Sequence, residues 1–412
     1  MSSILLTNAA LFDGHGDEAV PGMNVLVVDD RIEAVSDKPI RAESARVIDC
    51  GGQTLLPGLI DAHVHVFAIS LAASRNETVP LTLMTARAVP RIKAMLDRGF
   101  TSVRDVGGGD VGIRDGVAQG FIPGPRLYVG GPALTETGGH GDHRRRTDSR
   151  YDIDYNANAF VFFSRIVDGP EEMRRTVRNE IRKGADHIKV MASGGVGSPS
   201  DPLEGVQFSK EELEICAREA AARGKYVCAH TYTSEAIRHA VGAGIRTVEH
   251  ANFIDSETAA FVRDRNAYVV PTLVCYEVTA RHGTRLGLTP FVMEKLDLVN
   301  KAGIAMLDIC ERAGTKMGFG TDLMGEMEYA QSYEFTIRGR AQKPADILRS
   351  ATSLNAEILQ ETGRLGVIRE GALADMILCA GNPLKDITLL SEPEKNLRII
   401  MQGGRLHRCD LA

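Results

Sequence analysis

The chain has 412 residues, of which 43% are hydrophobic and 25% charged, and a formal net charge of -6. That length holds two or three average domains, or one large barrel with additions, around a sizeable core. The acidic balance excludes the basic footprint that nucleic acid or an anionic membrane surface would call for.

Residues 1 to about 57 read as short strands: Ile4 to Phe12, two runs within Asn24 to Val35 around an Asp-Asp turn, and Arg46 to Asp49 before Gly51-Gly52. The C-terminal end reads the same way, with Ala374 to Cys379, then Leu397 to Met401 and Arg405 to Arg408 flanking Gly403-Gly404. Neither end has enough strands to be stable alone, so the expectation is one small β-sandwich built from 1-57 plus 360-412. Residues 58-359 then form a separate domain between the two halves.

In that middle region helix and strand alternate. Strand-like runs fall at Leu55–His65, Thr101–Gly107, Arg126–Gly130, His187–Ala192, Tyr226–Tyr232, Thr247–His250, Tyr268–Tyr276 and Lys316–Asp322. Helical runs at Leu83–Arg98, Glu171–Lys183, Ser209–Arg223, Ser234–Gly242, Asp255–Arg265, Phe291–Ala313 and Pro344–Ile358 separate or follow them. Ser209 with Glu212 makes a capping box, Asp255 is an N-cap, Pro344 suits a first helical position, and glycines follow the helices. The pattern predicts an α/β fold, a (β/α)8 TIM barrel rather than a doubly wound sheet. The first strand is not followed by the glycine fingerprint of a dinucleotide site. The stretch from Gly131 to Gly169, holding His140-Gly-Asp-His-Arg-Arg-Arg146, is too long for an ordinary barrel connection, which marks it as functional or mobile.

The seven cysteines are scattered, odd in number and without a Cys-x-x-Cys pair. Reduced thiols in a cytoplasmic protein are expected, and no cysteine-ligated metal. No signal peptide and no membrane span of ~20 apolar residues is read.

Chemistry-bearing side chains recur at one end of the strands. His63 and His65 lie two apart on the first strand and so project to the same face, half of a metal site. Lys189 sits on the fourth strand, His230 ends the fifth, His250 the sixth and Asp322 the eighth. Each alone has an ordinary structural explanation, but six at the rim where barrel enzymes place their reacting groups point to one site.

This arrangement resembles the metal-dependent amidohydrolase superfamily in its two-metal form, over essentially the whole chain. The closer resemblance is to the imidazolonepropionase-like branch with Xaa-Pro dipeptidases (prolidases) and ochratoxin-type amidases. It is carried by Pro57–His65, Thr137–His140, Ile188–Gly195, Ala229–Tyr232, Val248–His250 and Gly318–Asp322. The resemblance implies two divalent metal ions bound by His63, His65, Lys189, His230, His250 and Asp322, with Lys189 N-carboxylated. An ammonium of ordinary pKa, about 10.4, would instead repel the cations. Zinc suits imidazole and carboxylate ligands, with cobalt and manganese as alternatives.

The implied chemistry is hydrolysis of a C–N amide bond by metal-activated hydroxide, with Asp322 as general base and then acid. Tyr232, two residues beyond His230, and His140 are candidate donors to the tetrahedral oxygen. The expected substrate is a small molecule or dipeptide with a free carboxylate, of Xaa-Pro or N-acyl amino acid type. Arg144, Arg145, Arg146 and Arg150 are candidates to meet that carboxylate. The resemblance also implies a homo-oligomer, as large as an octamer. A cyclic amide hydrolase of the imidazolonepropionase type normally uses one metal and does not require the strand-four lysine, so Lys189 weighs against it. A lactonase would use the same hydroxide. A silent dihydropyrimidinase-like interaction protein would be expected to lose ligands, whereas all six are present.

Overall fold

The computed structural model describes residues 3–71, 76, 79–144, 163–197, 201–283 and 287–411. Both chain ends enter one eight-stranded mixed sheet. Its path runs from the C-terminal hairpin, Leu397–Gln402 and Arg405–Cys409, through Met376–Cys379 to Thr54–Pro57, then to Ser3–Leu11, Val20–Val28 and Arg31–Ser36. Arg46–Asp49 lies beside Ser3–Leu11. Thr54–Pro57 joins the two halves, pairing in parallel with Ser3–Leu11 and antiparallel with Met376–Cys379. Leu6, Val25, Ile48, Leu55, Leu378 and Met401 pack together within it, so the two termini bury each other's apolar residues.

The middle of the chain makes two sheets of parallel strands with helices between them. One holds Leu59–Val64, Phe100–Asp105 and Arg126–Val129. The other holds Ile188–Met191, Val227–Thr233, Thr247–Phe253 and Tyr268–Val270, extended by Ala133–Thr135 and Ser164–Ile166 from the long irregular stretch. Hydrogen bonds cross both seams between these sheets. At one, the Asp186 amide donates to the Val129 carbonyl at 2.8 Å. At the other, residues 316–321 run between two strands. Gly318 N–H donates to Val269 O at 2.8 Å on one side, and Ala62 N–H to Phe319 O at 2.8 Å on the other. A Cβ at Gly320 would stand 2.8 Å from His63 Cβ and 2.7 Å from Val270 Cγ1, so only glycine lets this segment pass so close.

Several elements differ from expectation. Lys316–Asp322 forms no ladder strand, making only the isolated bridge of Met317 with Val269. The helices Val111–Ala118 and Tyr333–Arg338 and the short strands Ala133–Thr135 and Ser164–Ile166 were not expected. Two further differences have identifiable reasons. The strand expected over Tyr268–Tyr276 stops at Val270, and Leu273–His282 is a helix. Pro271 cannot donate to a sheet ladder, and the buried Glu334 carboxylate accepts the Val274 amide at 2.6 Å, satisfying a first-turn donor of the new helix. The helix expected over Pro344–Ile358 is interrupted by a wide π-type turn at Ser350–Leu354. Beyond that turn Asn355 reaches back into the sheets. Its Nδ2 donates to Ile60 O at 2.7 Å and Phe319 O at 2.8 Å, and its Oδ1 accepts from Phe319 N–H at 3.0 Å.

Asn355 thus fastens the first strand of the middle region to the 316–321 segment. Truncation leaves the Phe319 amide among buried groups without its partner, so Asn355→Ala is expected to cost about 3 kcal/mol. A shift of the urea unfolding midpoint measures this. A loss below about 0.5 kcal/mol, the size of an ordinary surface change, would remove Asn355 from that role.

Candidate active site

His63, His65, Lys189, His230, His250, Asp322, His140 and Tyr232 all line one cavity of about 250 Å³. His63 Nε2 lies 3.3 Å and His65 Nε2 3.1 Å from the same Asp322 oxygen, Oδ1. The His63 and His65 rings are 5.4 Å apart, as a shared strand face requires. His250 stands 5.0 Å from His63 and 4.6 Å from His230, centroid to centroid. One ligand atom each from His63, His250 and Asp322 lies within 4.8 Å of the others, a spacing that suits a single cation.

The donor set fits a divalent metal in a second way. In three of the histidines Nδ1 is already held, leaving Nε2 as the atom turned towards the cavity. His63 Nδ1 bonds Glu249 Oε2 at 2.8 Å, His65 Nδ1 bonds the Gly107 carbonyl at 2.9 Å, and His250 Nδ1 bonds Thr272 Oγ1 at 2.8 Å. His230 is the reverse case, with Nε2 3.2 Å from the Gly194 carbonyl, so that Nδ1 remains. Burial, reinforced by His140 beside His230 and by His63 beside His250, holds both imidazoles well below their ordinary pKa. They are therefore neutral, as metal ligands must be. Burial alone would raise the Asp322 carboxyl, but His63 and His65 hold it well below the carboxylate range, so that it is ionised.

Lys189 is 1% exposed. No hydrogen bond or ion pair joins its amine to any other described residue, and its charge acts on His230, His250 and Glu249. A cation buried among imidazoles without a counterion is costly, and an N-carboxylated lysine would bring a negative charge to that place.

His140 stacks on His230 at 4.4 Å and 17°, its Nδ1 3.4 Å from Asp201 Oδ2. Tyr232 lies face to face with His250 at 5.3 Å and meets the edge of His230 at 5.0 Å. Arg144 does not stand open for a substrate: Asp142 takes both ends of its fork, at 2.8 and 2.6 Å. Arg145, Arg146 and Arg150 lie outside the described residues.

Sequence reasoning missed Glu249 and Arg104. Both are completely buried, and Arg104 Nη2 meets Glu249 Oε1 at 2.8 Å and Oε2 at 2.9 Å. Burial would push the Glu249 carboxyl up, but Arg104 and then His63 hold it well below the ordinary range. Strand alternation sends Glu249 and His250 to opposite faces, which hides Glu249 from a reading based on period two. The structure evades alternation with a left-handed backbone at His250, φ +73°. The only signal in the sequence was a charged residue in the middle of each of two apolar strands.

Buried imidazoles and an ionised carboxylate converging in a cavity at the ends of parallel strands equip a protein for hydrolysis assisted by divalent cations. Residues 54–406 match the model of the amidohydrolase family, and the chain belongs to that family. A solved amidohydrolase is 45% identical across the whole of both chains, with a TM-score of 0.97. A prolidase solved with N-methylphosphonate-L-proline is 42% identical, covers 99% of this chain and 100% of its own, and has a TM-score of 0.95. Ochratoxinase of Aspergillus niger is 32% identical over 367 residues, 86% of this chain and 75% of that protein. The protein is a hydrolase of amide or peptide C–N bonds, from a metal-dependent family.

Glu249→Gln would leave Arg104 as a buried cation without its counterion and His63 without its anchor. The expected cost is about 3–5 kcal/mol in chemical denaturation, with metal retention weakened roughly 10–100-fold after dialysis. Unchanged stability and metal content would show that the pair bears no load.

Proposed function

We propose that this protein is a binuclear metal-dependent amidohydrolase that cleaves the amide of Xaa-Pro dipeptides or of N-acyl amino acids. The observation that carries the reading is the convergence of His63, His65, His230, His250 and Asp322 with Lys189, a buried lysine that forms no ion pair among the described residues, on one cavity. The prolidase and ochratoxinase relatives support it, the first solved with a phosphonate of proline and the second named for acting on ochratoxin. The reading includes closure of the two middle sheets as a (β/α)8 barrel over 58-359, beside a terminal sandwich of 1-57 and 360-412. It also includes a homo-oligomer in the cytoplasm.

His63, His65, carboxylated Lys189, His230, His250 and Asp322 would hold the ions, zinc being the expected metal. The ions would supply Lewis acidity and would lower the pKa of a bound water to about 7. Asp322, whose carboxylate is ionised and shared between His63 and His65, takes the proton of the attacking water and returns it to the departing amine. Tyr232 and His140 border the cavity and stabilise the oxygen that gains charge. Leu288, Val292, Met324 and Val196 line the same cavity and suit an apolar substituent on the substrate.

A screen of dipeptides and N-acyl amino acids with zinc-loaded enzyme tests the reading. Hydrolysis of an Xaa-Pro or N-acyl substrate is expected, with Asp322→Asn lowering kcat at least ~100-fold. Substantial turnover by that variant would refute the proton-shuttle role. The lysine is tested separately: labelled bicarbonate should give a carbamate carbon resonance that is lost in Lys189→Ala. Added acetate or propionate should restore part of that variant's activity. A metal-loaded enzyme of full activity without a carbamate would discard the modification and leave the rest standing.

A further inference from the structure

The hydroxyl of Tyr232 is one end of a chain of hydrogen bonds that begins at His250. His250 Nδ1 lies 2.8 Å from Thr272 Oγ1, which lies 3.4 Å from Tyr276 Oη, which lies 3.0 Å from Tyr232 Oη. Thr272 precedes the helix Leu273–His282 in the N-cap position, yet its side chain makes no capping bond. A threonine there ordinarily caps, so its hydroxyl is diverted to His250. Tyr276 stands one turn further along the same helix and meets the His250 ring edge-on, centroids 6.3 Å apart.

We infer that Thr272 and Tyr276 are positioning residues that fix the direction of the Tyr232 hydroxyl proton. The inference rests on the reading of Tyr232 as a donor to the substrate oxygen. With Nε2 of His250 given to a cation, the ring proton must sit on Nδ1 and is donated to Thr272 Oγ1. Thr272 Oγ1, already an acceptor, directs its hydrogen to Tyr276 Oη, the sense that the geometry assigns. Tyr276 then donates to Tyr232 Oη, and the Tyr232 hydrogen is left over. Tyr232 lines the cavity, so that hydrogen is presented to a substrate oxygen. Were Tyr232 to donate to Tyr276 instead, Tyr276 Oη would accept twice and Tyr232 could give nothing to the substrate. The Cys275 thiol has the Thr272 carbonyl as its near partner at 3.0 Å, and its sulfur, 3.8 Å from Thr272 Oγ1, is a weaker acceptor than Tyr276 Oη, so it does not reverse the chain. Hydrogen bonds linked in one sense also polarise one another.

The test is a double-mutant cycle on metal-loaded enzyme. It is read as kcat, KM and, independently of turnover, the calorimetric Kd of an N-phosphonyl amino acid that mimics the tetrahedral centre. Tyr232→Phe is expected to lower kcat ~100-fold, and Tyr276→Phe roughly 10-fold with KM within about twofold and a comparable loss of phosphonate affinity. The double variant should be no worse than Tyr232→Phe alone, because Tyr276 acts only through Tyr232. Thr272→Val should resemble Tyr276→Phe and Thr272→Ser should restore it, with metal content measured on each. Additive losses in the double variant would overturn the inference, as would a Tyr276→Phe enzyme with unchanged kcat and phosphonate affinity. If Tyr232→Phe itself changes neither quantity, the failure lies with the oxyanion-donor assignment.

Discussion

Glu249 holds a negative charge where water does not reach, and the strand ends are arranged around keeping it there. A lone carboxylate in such a place would take up a proton, because its charged form loses its hydration. Arg104 prevents this by bonding both oxygens, and the Thr247 hydroxyl adds a bond of 2.7 Å to Oε1. The ionised Oε2 then binds His63 Nδ1 and so fixes which nitrogen of His63 faces Asp322. Arg104 also donates through Nε to the Ala62 carbonyl, next to His63 on its own strand. One ion pair therefore fixes strand position, ring orientation and tautomer together. An apolar pair of equal volume would be as stable or more so, but it would leave the imidazole free to turn.

The same economy holds at the neighbouring histidine. Asp105, buried and without a cationic side chain in contact among the described residues, takes the amides of Val66, Gly107 and Gly109 at 2.7, 3.0 and 2.8 Å. That folds the turn after its strand so that the Gly107 carbonyl meets His65 Nδ1. Left-handed backbone at His250, Ala251 and Asp322 completes the arrangement, at roughly 1–2 kcal/mol for each non-glycine residue. Such geometry persists because the surroundings over-determine it. The Asp322 amide donates to the His63 carbonyl at 2.8 Å, while its carboxylate meets the rings of His63 and His65. The strain places side chains where regular strand geometry would not.

What could be read from the sequence divides along the same line. Alternation of apolar strands and capped helices located the main strands and most of the long helices of the middle region, because those signals are local. It did not locate the helices Val111–Ala118 and Tyr333–Arg338 or the short strands Ala133–Thr135 and Ser164–Ile166. Ser209 and Glu212 form the reciprocal capping box that their spacing announces, and the Asp255 carboxylate accepts the Thr258 amide at 2.7 Å. His63 and His65 were legible because period two holds there. The helix at Leu273 was not, since its first turn is completed by Glu334, 60 residues later, and no local signal reports that bond. Glu249 and Thr272 were illegible for a related reason. Their partners come from other strands, and the left-handed residue that aligns them is not a glycine.

His230 carries the argument from holding the site to varying it. Its ring is turned the opposite way to the other three, with Nε2 on the Gly194 carbonyl. The loop that supplies this carbonyl can lie there because Gly195 has no side chain: a Cβ would stand 2.2 Å from His140 Cε1. His140 in turn covers the free face of His230. The anchors on this side of the cavity therefore come from loop backbone, whereas those of His63 and His250 come from side chains on or just after the strands. Val196, Leu288 and Met324, which face the same space, also lie outside the regular strands. Loops tolerate replacement and strands tied by buried charge do not. The half of the cavity that would position the reacting groups is thus mechanically separate from the half that would contact the variable part of a substrate. A change of substrate can be made on the loop side without disturbing Arg104, Glu249 or the rings they orient.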